Sequence, residues 1–281
     1  MLFLLLACGT ENLSQAWQID RLRILAVASE PAEPRPGDFV TFSALTVSPN
    51  VAVAATVWTM CADAGSDEYG CTGDAGAIDV SGDPEAFDYD AFVAAGGIGI
   101  EPFLPPTWTV PADLLDHLDA DAKREGTTAL LNLLAVPDQE NVGEADVEIA
   151  FKRVPVSLAE TPNHNPGLTG WRVDGNALAP DATVTLSRGQ TYEIEPILSE
   201  DAVENYVYRT KEGADEDRTE EPYFSWYLEE GLFDQPNSLY PTVSVAYAVP
   251  AKPTADSGTV WAVMRDRRGG MAWLTLRVRY E

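Results

Sequence analysis

The stretch of sequence that decides the fold is Gly258-Thr-Val-Trp-Ala-Val-Met-Arg-Asp-Arg-Arg-Gly-Gly-Met-Ala-Trp-Leu-Thr-Leu-Arg-Val-Arg-Tyr280. Two β-prone runs flank a short polar loop, residues 266–270, and this pattern with its two glycines is typical of a β-hairpin. In the second run Leu274, Leu276 and Val278 alternate with polar side chains, which indicates a strand with one buried face. A hairpin is not stable alone in water, so the sequence predicts a β-sandwich built from further strands.

The hairpin also predicts which side chains share a face. With residues 266–270 as the loop, Arg265 lies opposite Met271, and Val263 lies opposite Trp273. The expected core face comprises Val260, Ala262, Met264, Ala272, Leu274 and Leu276. The opposite face carries Trp261, Val263 and Trp273, beside Thr275 and Arg277. The two tryptophans can be a cross-strand pair that shields backbone hydrogen bonds. Alternatively Trp261, Val263 and Trp273 form a contact patch for the first domain or for a partner.

Further β-prone runs, separated by prolines and glycines, are distributed along the whole chain. In the first half they cover residues 21–29, 39–47, 53–60, 127–136 and 147–156; in the second half, residues 170–173, 183–186, 192–198, 223–228, 242–248 and 259–265. In the run 147–156, Val147, Ile149 and Phe151 alternate with Glu148, Ala150 and Lys152. The acidic segment between Asn205 and Glu221 is interpreted as a solvated hairpin tip.

Two short helices are also predicted. Asp83 as N-cap and Pro84 at the first position begin one that runs through Phe92. Apolar spacing predicts the other over Pro111 to Leu118. The chain is therefore expected to be all-β with minor helical segments.

The two halves share landmarks in the same order. Each landmark of the first half has a counterpart in the second. The tryptophan Trp58 corresponds to Trp226, the segment Thr107-Trp-Thr-Val-Pro111 to Ala246-Tyr-Ala-Val-Pro250, and the pair Gly126-Thr127 to Gly258-Thr259. Trp58 in the third strand and the turn at residues 265–270 resemble those of bacterial immunoglobulin-like domains, and of the polycystic-kidney-disease type in the second half. The resemblance implies two tandem immunoglobulin-like β-sandwich domains, residues 20–159 and 168–281, joined by a linker at 160–167. The first contains a long insertion with a disulfide and short helices.

Length and charge set limits on function. The chain has 281 residues, which suggests two domains, and a formal net charge of -27. This charge argues against nucleic acid and against electrostatic docking on anionic lipid. The acidity has two interpretations: a solubilising surface, or cation binding with calcium as the expected ion.

The amino terminus resembles a bacterial lipoprotein signal. Leu5-Leu-Ala-Cys8 matches the lipobox, in which the cysteine is lipidated and becomes the first mature residue. By this resemblance residues 1–8 are a truncated signal peptide with a start placed too late, and residues 9–19 are a tether. Gly9 after the cysteine implies an outer-membrane anchor, on the periplasmic or the cell-surface side.

Cys61 and Cys71 are the remaining cysteines. In an exported protein they most simply form one local disulfide. Zinc is not expected, because two thiolates lack further ligands nearby. The bridge would hold an acidic loop with Asp63, Asp67 and Glu68, the candidates if calcium binds. We assign no metal site and no other cofactor.

The sequence contains no catalytic motif for a serine hydrolase, a zinc protease or a phosphate-binding loop. The expectation is a non-enzymatic cell-envelope lipoprotein that acts as a structural or binding module, with an envelope protein or a glycan as partner. A calcium-dependent adhesion protein or a carbohydrate-binding surface protein is the alternative, and an envelope hydrolase is the third possibility.

Overall fold

The structure is a computed structural model that describes residues 15–62, 88–140, 142–143, 146–210 and 213–281. Within these ranges, none of the helices has the length and apolar character needed to cross a bilayer. Strands dominate, and they form four main sheets and one separate two-stranded ribbon.

The element bounds are as follows. The first half contains β1 (Arg23–Glu30), β2 (Phe39–Val47), β3 (Val53–Cys61), α1 (Tyr89–Ala94), β4 (Gly97–Glu101), β5 (Thr107–Thr109), α2 (Ala120–Glu125), β6 (Thr127–Pro137) and β7 (Glu148–Val156). The second half contains β8 (Leu168–Val173), β9 (Asn176–Leu178), β10 (Thr183–Leu186), β11 (Thr191–Leu198), β12 (Asn205–Arg209), β13 (Asp215–Thr219), β14 (Tyr223–Leu228), β15 (Leu232–Phe233), β16 (Asn237–Leu239), β17 (Val245–Ala248), β18 (Ser257–Arg265) and β19 (Met271–Tyr280).

The first half of the chain forms one sandwich. One sheet has the order β1-β2-β5 and the other the order β4-β3-β6-β7. Trp58 is fully buried between them, with its ring centroid 6.4 Å from that of Phe42. Alternate residues of each strand face this core, as the period of two requires.

The second half forms a second sandwich with the same plan. Its sheets have the orders β15-β17-β11-β8-β9 and β10-β19-β18-β14-β16, and β10 pairs with β19 in parallel. The order β15-β17-β11-β8 matches strands D, E, B and A of an immunoglobulin domain, and β14, β18 and β19 match C, F and G. In the first half β1, β2, β5 and β3, β6, β7 match A, B, E and C, F, G. The protein is therefore two tandem immunoglobulin-like β-sandwiches.

Backbone hydrogen bonds show that the repeat is structural. In the first sandwich the amide of Val110, just after β5, donates to the carbonyl of Asp38 at 2.9 Å. In the second the amide of Val249, just after β17, donates to Gln190 at 2.9 Å. Each pair joins strand E to the residue before strand B, so the predicted landmarks occupy equivalent positions.

The hairpin register is as predicted, with Val263 opposite Trp273 and Arg265 opposite Met271. The acidic segment is also a hairpin, β12–β13, and every residue of β13 is exposed. The expected helix over Pro111 to Leu118 is wrong, because that segment forms turns with i→i−3 hydrogen bonds such as Leu114 to Pro111. α2 begins shortly after it, where the carboxylate of Asp119 accepts from the amide of Ala122 as an N-cap.

The predicted helix through Phe92 is described from α1 onward. Asp88 is its N-cap and accepts from the amide of Ala91. Asp83 and Pro84 lie outside the described residues.

Residues at the end of the predicted tether are packed rather than free. The amide of Ile19 donates to Leu228 at 2.8 Å, and the amide of Leu228 donates to Trp17 at 3.1 Å. Trp17 packs against Phe233 with ring centroids 6.1 Å apart. Trp17 packs against the core of the second sandwich and Ile19 lies in the cluster between the two sandwiches, so residues 17–19 are held against the domains although the predicted tether extends to residue 19.

Candidate functional site

The two sandwiches meet through a buried apolar cluster, and we take this junction as the candidate functional site. The outer side of β18, with Trp261 and Val263, packs against the β1–β2 pair of the first sandwich. Val263 is 0% exposed and Trp261 is 6% exposed. The other buried members are Ile19, Leu25, Ala26 and Val47, and Leu45, Tyr227, Met271 and Trp273 are partly buried around them. The predicted contact patch thus lies where the first sandwich covers the second.

Arg265 crosses the edge of this cluster. Its Nη2 donates to the carbonyl of Leu25 at 2.9 Å, and its Nη1 donates to Oγ of Ser225 at 3.0 Å. One guanidinium therefore links a backbone group of the first sandwich to a side chain of the second, with the directional donors that arginine provides.

The loop between β18 and β19 is organised by Asp266, which is 2% exposed. Its carboxylate accepts from the amides of Arg268 at 2.7 Å, Gly269 at 2.9 Å and Gly270 at 2.9 Å. At Gly270 a Cβ would lie 2.1 Å from the carboxylate of Asp266 and 2.7 Å from the carbonyl of His164. Glycine at this position lets the loop fold onto the linker.

Two linker asparagines fasten this loop. Nδ2 of Asn163 donates to the Asp266 carboxylate at 2.7 Å, and Asn163 is 1% exposed. Oδ1 of Asn165 accepts from the amide of Met271 at 2.9 Å, while its Nδ2 donates to the carbonyl of Ser29 at 2.7 Å. Asn163 and Pro166 of the segment 160–167 are thus buried at the junction, although the composition of the segment is that of a linker.

Lys152 reaches the same loop from the first sandwich. Its Nζ donates to the carbonyl of Gly269 at 2.6 Å, and the residue is 4% exposed. Burial lowers the pKa of Lys152 to about 8, against the attraction of Asp266. A charged side chain is therefore removed from water to reach the second sandwich.

Arg268 forms ion pairs with carboxylates from both halves of the chain. It pairs with Glu220 at 3.0 Å and Glu204 at 3.3 Å, both of the second sandwich, and with Glu33 of the first at 3.7 Å. Its guanidinium also lies 4.3 Å from the ring centroid of Tyr206. Burial raises the pKa of Glu220, whose side chain is 2% exposed. Glu33 in turn accepts from the amide of Asn163 at 2.7 Å.

Sequence reasoning identified only the apolar part of this junction. Lys152, Asn163, Asp266 and Arg268 were not singled out as site residues. A lysine in phase with the inward side of β7 was one available signal, and the Asp-Arg-Arg-Gly-Gly turn was another. Their partners lie more than a hundred residues away for Lys152 and Asn163, a separation over which sequence spacing carries no distance information.

The other predicted site residues are not brought to this junction. Cys61 ends β3 and is buried. Cys8, Asp63, Asp67, Glu68 and Cys71 lie outside the described residues, so lipidation, the disulfide and a calcium loop stay predictions. In the described part of the chain, no three His, Cys, Asp or Glu side chains are arranged to hold a metal ion.

No protein-family model matches the chain, and no curated protein matches it. Among solved structures, the fibronectin(III)-like modules of Clostridium thermocellum CbhA are 11% identical, with 91% of this chain and 94% of that chain covered and a TM-score of 0.25. The N-terminal Ig1-2 module of the Drosophila receptor protein tyrosine phosphatase DLAR is 12% identical, with 93% and 99% covered and a TM-score of 0.27. At such scores these likenesses carry no argument, and the immunoglobulin-like assignment rests on the strand pairing described above.

Proposed function

We propose that this protein is a non-catalytic envelope lipoprotein whose two sandwiches act together as a binding or structural module. The observation that supports the proposal is the junction. The loop at Asp266 is held by Lys152 from the first sandwich and by Asn163 from the linker. A module that presents surfaces to a partner gains affinity when those surfaces are already fixed relative to one another.

The anchor belongs to the same proposal. Cys8 in Leu5-Leu-Ala-Cys8 carries the lipid, and Trp17 already packs on the second sandwich. The segment between them spans at most about 35 Å when extended. The module therefore works close to the membrane surface, on the outer membrane and facing either the periplasm or the exterior.

A single substitution tests the anchor. Cys8→Ser, expressed behind a complete lipoprotein leader, is expected to move the protein from the membrane fraction to the soluble fraction. Thr10→Ser is the control, because it makes a conservative change two residues after Cys8 and keeps the lipidated cysteine, and it should leave the protein in the membrane. Unchanged membrane partitioning of Cys8→Ser contradicts the anchor.

The bridge between Cys61 and Cys71 is part of the exported state. Its closed loop of about ten residues should add about 2–3 kcal/mol to the free energy of unfolding in the chain-entropy model. Mass analysis of the unreduced protein after alkylation is expected to find no free thiol. Two alkylated cysteines would show that the bridge does not form.

The binding role is tested by chemical crosslinking in native membranes, followed by mass spectrometry. The parent and Arg267→Met, which changes an exposed arginine, should capture the same partner set. Arg268→Met removes the cation that pairs with Glu33 across the junction, and this variant should lose the partner set. If both variants capture the same partners equally well, binding of the partners does not depend on the junction. Calcium calorimetry is the second test: a stoichiometric heat with a raised melting temperature would favour the calcium-dependent adhesion protein instead.

A further inference from the structure

The hairpin β12–β13 and the linker border a groove beside the junction of the two sandwiches. Thr161 lines it on the linker side, and residues 205–207 and 217–219 line it on the hairpin side. Its volume is about 350 Å³. Ligand sites of proteins often lie between domains and have volumes of about 300–1,000 Å³. The size and the place of this groove are therefore those of a site for a small ligand.

One face of the hairpin forms the wall of this groove. Asn205 lies opposite Thr219 in the hairpin register. Val207, which is 56% exposed, lies opposite Asp217. Opposed residues of antiparallel strands share a face, and so do residues two apart along a strand. The wall therefore presents an amide, a hydroxyl, a carboxylate and an apolar side chain next to one another.

Contacts on both sides of the hairpin hold this wall in place. On the opposite face, the guanidinium of Arg268 lies 4.3 Å from the ring centroid of Tyr206. Toward the hairpin tip, Nη2 of Arg209 donates to the carboxylate of Asp121 in α2 of the first sandwich at 3.3 Å. A ligand gains affinity when its site is already ordered before binding. The groove is such a site, because the hairpin is fixed to both sandwiches.

Several polar groups of the groove are available to a ligand. Among the residues that the structure describes, the carboxylate of Asp217 and the hydroxyl of Thr161 have no hydrogen-bond partner. Oδ1 of Asn205 accepts from Oγ1 of Thr219 at 2.6 Å, which leaves the two N–H donors of the Asn205 amide for a ligand. The groove thus offers both hydrogen-bond donors and acceptors.

The charges around the groove favour a neutral ligand. The formal net charge of -27 repels anions. A cation would find the carboxylate of Asp217, but the guanidinium of Arg218 lines the same groove and repels it. A hydroxyl group can accept from the Asn205 amide or donate to the Asp217 carboxylate. A sugar ring carries several hydroxyls and an apolar C–H face that fits against Val207.

We propose that this groove binds a neutral sugar, with Asn205 and Asp217 hydrogen-bonded to its hydroxyl groups and Val207 packed against its C–H face. The proposal rests on the binding role proposed above and names the class of ligand for that role. The linker contributes through Thr161, so the site is complete only when the linker lies beside the hairpin.

Amide NMR spectra of the full-length Cys8→Ser chain test the proposal. The probes are maltotriose, cellotriose, mannotriose and tri-N-acetylchitotriose, titrated to about 20 mM, with spermidine and phytate as the cationic and anionic comparisons. At least one trisaccharide is expected to shift the amide signals of Thr161, Val207 and Asp217 saturably, with a Kd of about 1 mM or tighter. This Kd should change less than about twofold between about 0.05 M and 0.5 M NaCl, because salt does not screen the contacts of a neutral ligand.

Substitutions locate the site. Asp217→Ala should weaken sugar binding at least about tenfold, because it removes a charged hydrogen-bond acceptor from the groove. Asp181→Ala is the matched control at an exposed aspartate outside the hairpin, and it should bind the sugar like the parent. If the spectra show that Asp217→Ala unfolds the hairpin, Thr161→Val takes its place, because it removes a hydroxyl from the linker side of the groove.

Three outcomes overturn the proposal. In the first, none of the trisaccharides shifts the three amide signals. In the second, Asp217→Ala binds a sugar as tightly as the parent does. In the third, spermidine or phytate shifts the same signals at lower concentration than any sugar, and 0.5 M NaCl abolishes the effect. If no sugar binds while crosslinking in native membranes still captures a partner, the sugar site is wrong and the binding role stands.

Discussion

Lys152 is the residue at which the pattern of a strand and its environment disagree. Val147, Ile149 and Phe151 form one apolar side of the predicted run 147–156, yet Ile149 and Phe151 are exposed and Lys152 is buried. The period of two is correct, but the buried side is set by what the neighbouring sheet and the second sandwich place against the strand. Lys152 is tolerated inside because its ammonium group donates a hydrogen bond to the carbonyl of Gly269 in the other sandwich.

The pKa of Lys152 leads to a prediction about pH. Because burial lowers this pKa from 10.5 to about 8, the unfolded chain holds the proton more firmly than the folded chain between those values. The cost of burying the ammonium group is present below about pH 8 and is relieved as the pH rises. The free energy of unfolding of the parent, minus that of Lys152→Met, should rise by about 2–3 kcal/mol from pH 7 to pH 10.

Urea unfolding at fixed ionic strength measures this difference. Subtracting the variant removes the contribution of groups common to both chains, including Tyr247 and Tyr280, whose pKa values are raised by burial. Lys123→Met, which removes a more exposed lysine, is measured in the same series as the comparison. A flat difference for Lys152→Met would show that Lys152 is not held in this environment.

At the scale of elements, the strands were predictable and the junction was not. β2, β10, β14 and β19 have the bounds that the apolar alternation predicts, because each buries one face on its own sandwich. The sequence does not predict the short strands β4, β5, β9, β15 and β16, since two to five residues show no reliable period. The contact between Asp266 and Asn163 could not be predicted, because it depends on how two completed sandwiches meet.

The two faces of β19 should respond differently to truncation. Leu276 is 0% exposed in the core of the second sandwich, so Leu276→Ala should lower the free energy of unfolding by about 2–5 kcal/mol. Trp273→Ala removes apolar area from the junction instead, and should weaken the contact between sandwiches more than it weakens the fold. Hydrogen exchange separates the two effects: Trp273→Ala should speed exchange at Ile19 and Met271 while the amides of β18 stay protected. Loss of β18 protection in Trp273→Ala would reverse the assignment of the two faces.

The whole molecule is expected to unfold as one unit while the junction holds. Arg268 balances Glu33, Glu204 and Glu220, and removing it leaves these carboxylates without their cation. Arg268→Met should lower the free energy of unfolding by about 2–3 kcal/mol, and it should split a single urea transition into two as the sandwiches separate. Hydrogen exchange at the amides of β6 in the first sandwich and of β18 in the second, followed through the urea transition, reports the unfolding of each sandwich separately.

Arg267→Met is the control for this change. Arg267 is half-exposed and lies 3.8 Å from exposed Glu221, so its loss should change the free energy of unfolding by less than about 0.5 kcal/mol. Its urea transition should remain single. Two transitions in the parent itself would mean that the junction does not couple the sandwiches.

The packing of Trp17 and Ile19 on the second sandwich has a mechanical consequence. A pull on the amino-terminal end of the chain does not reach β1 first, because the chain is held at Leu228 by two backbone hydrogen bonds before it enters the first sandwich. The load passes directly into β14, and the first sandwich carries no tension until those bonds break. Under traction the segment of residues 17–19 is pulled along Leu228, so we expect its two backbone hydrogen bonds to carry the load together and to break before the first sandwich is strained.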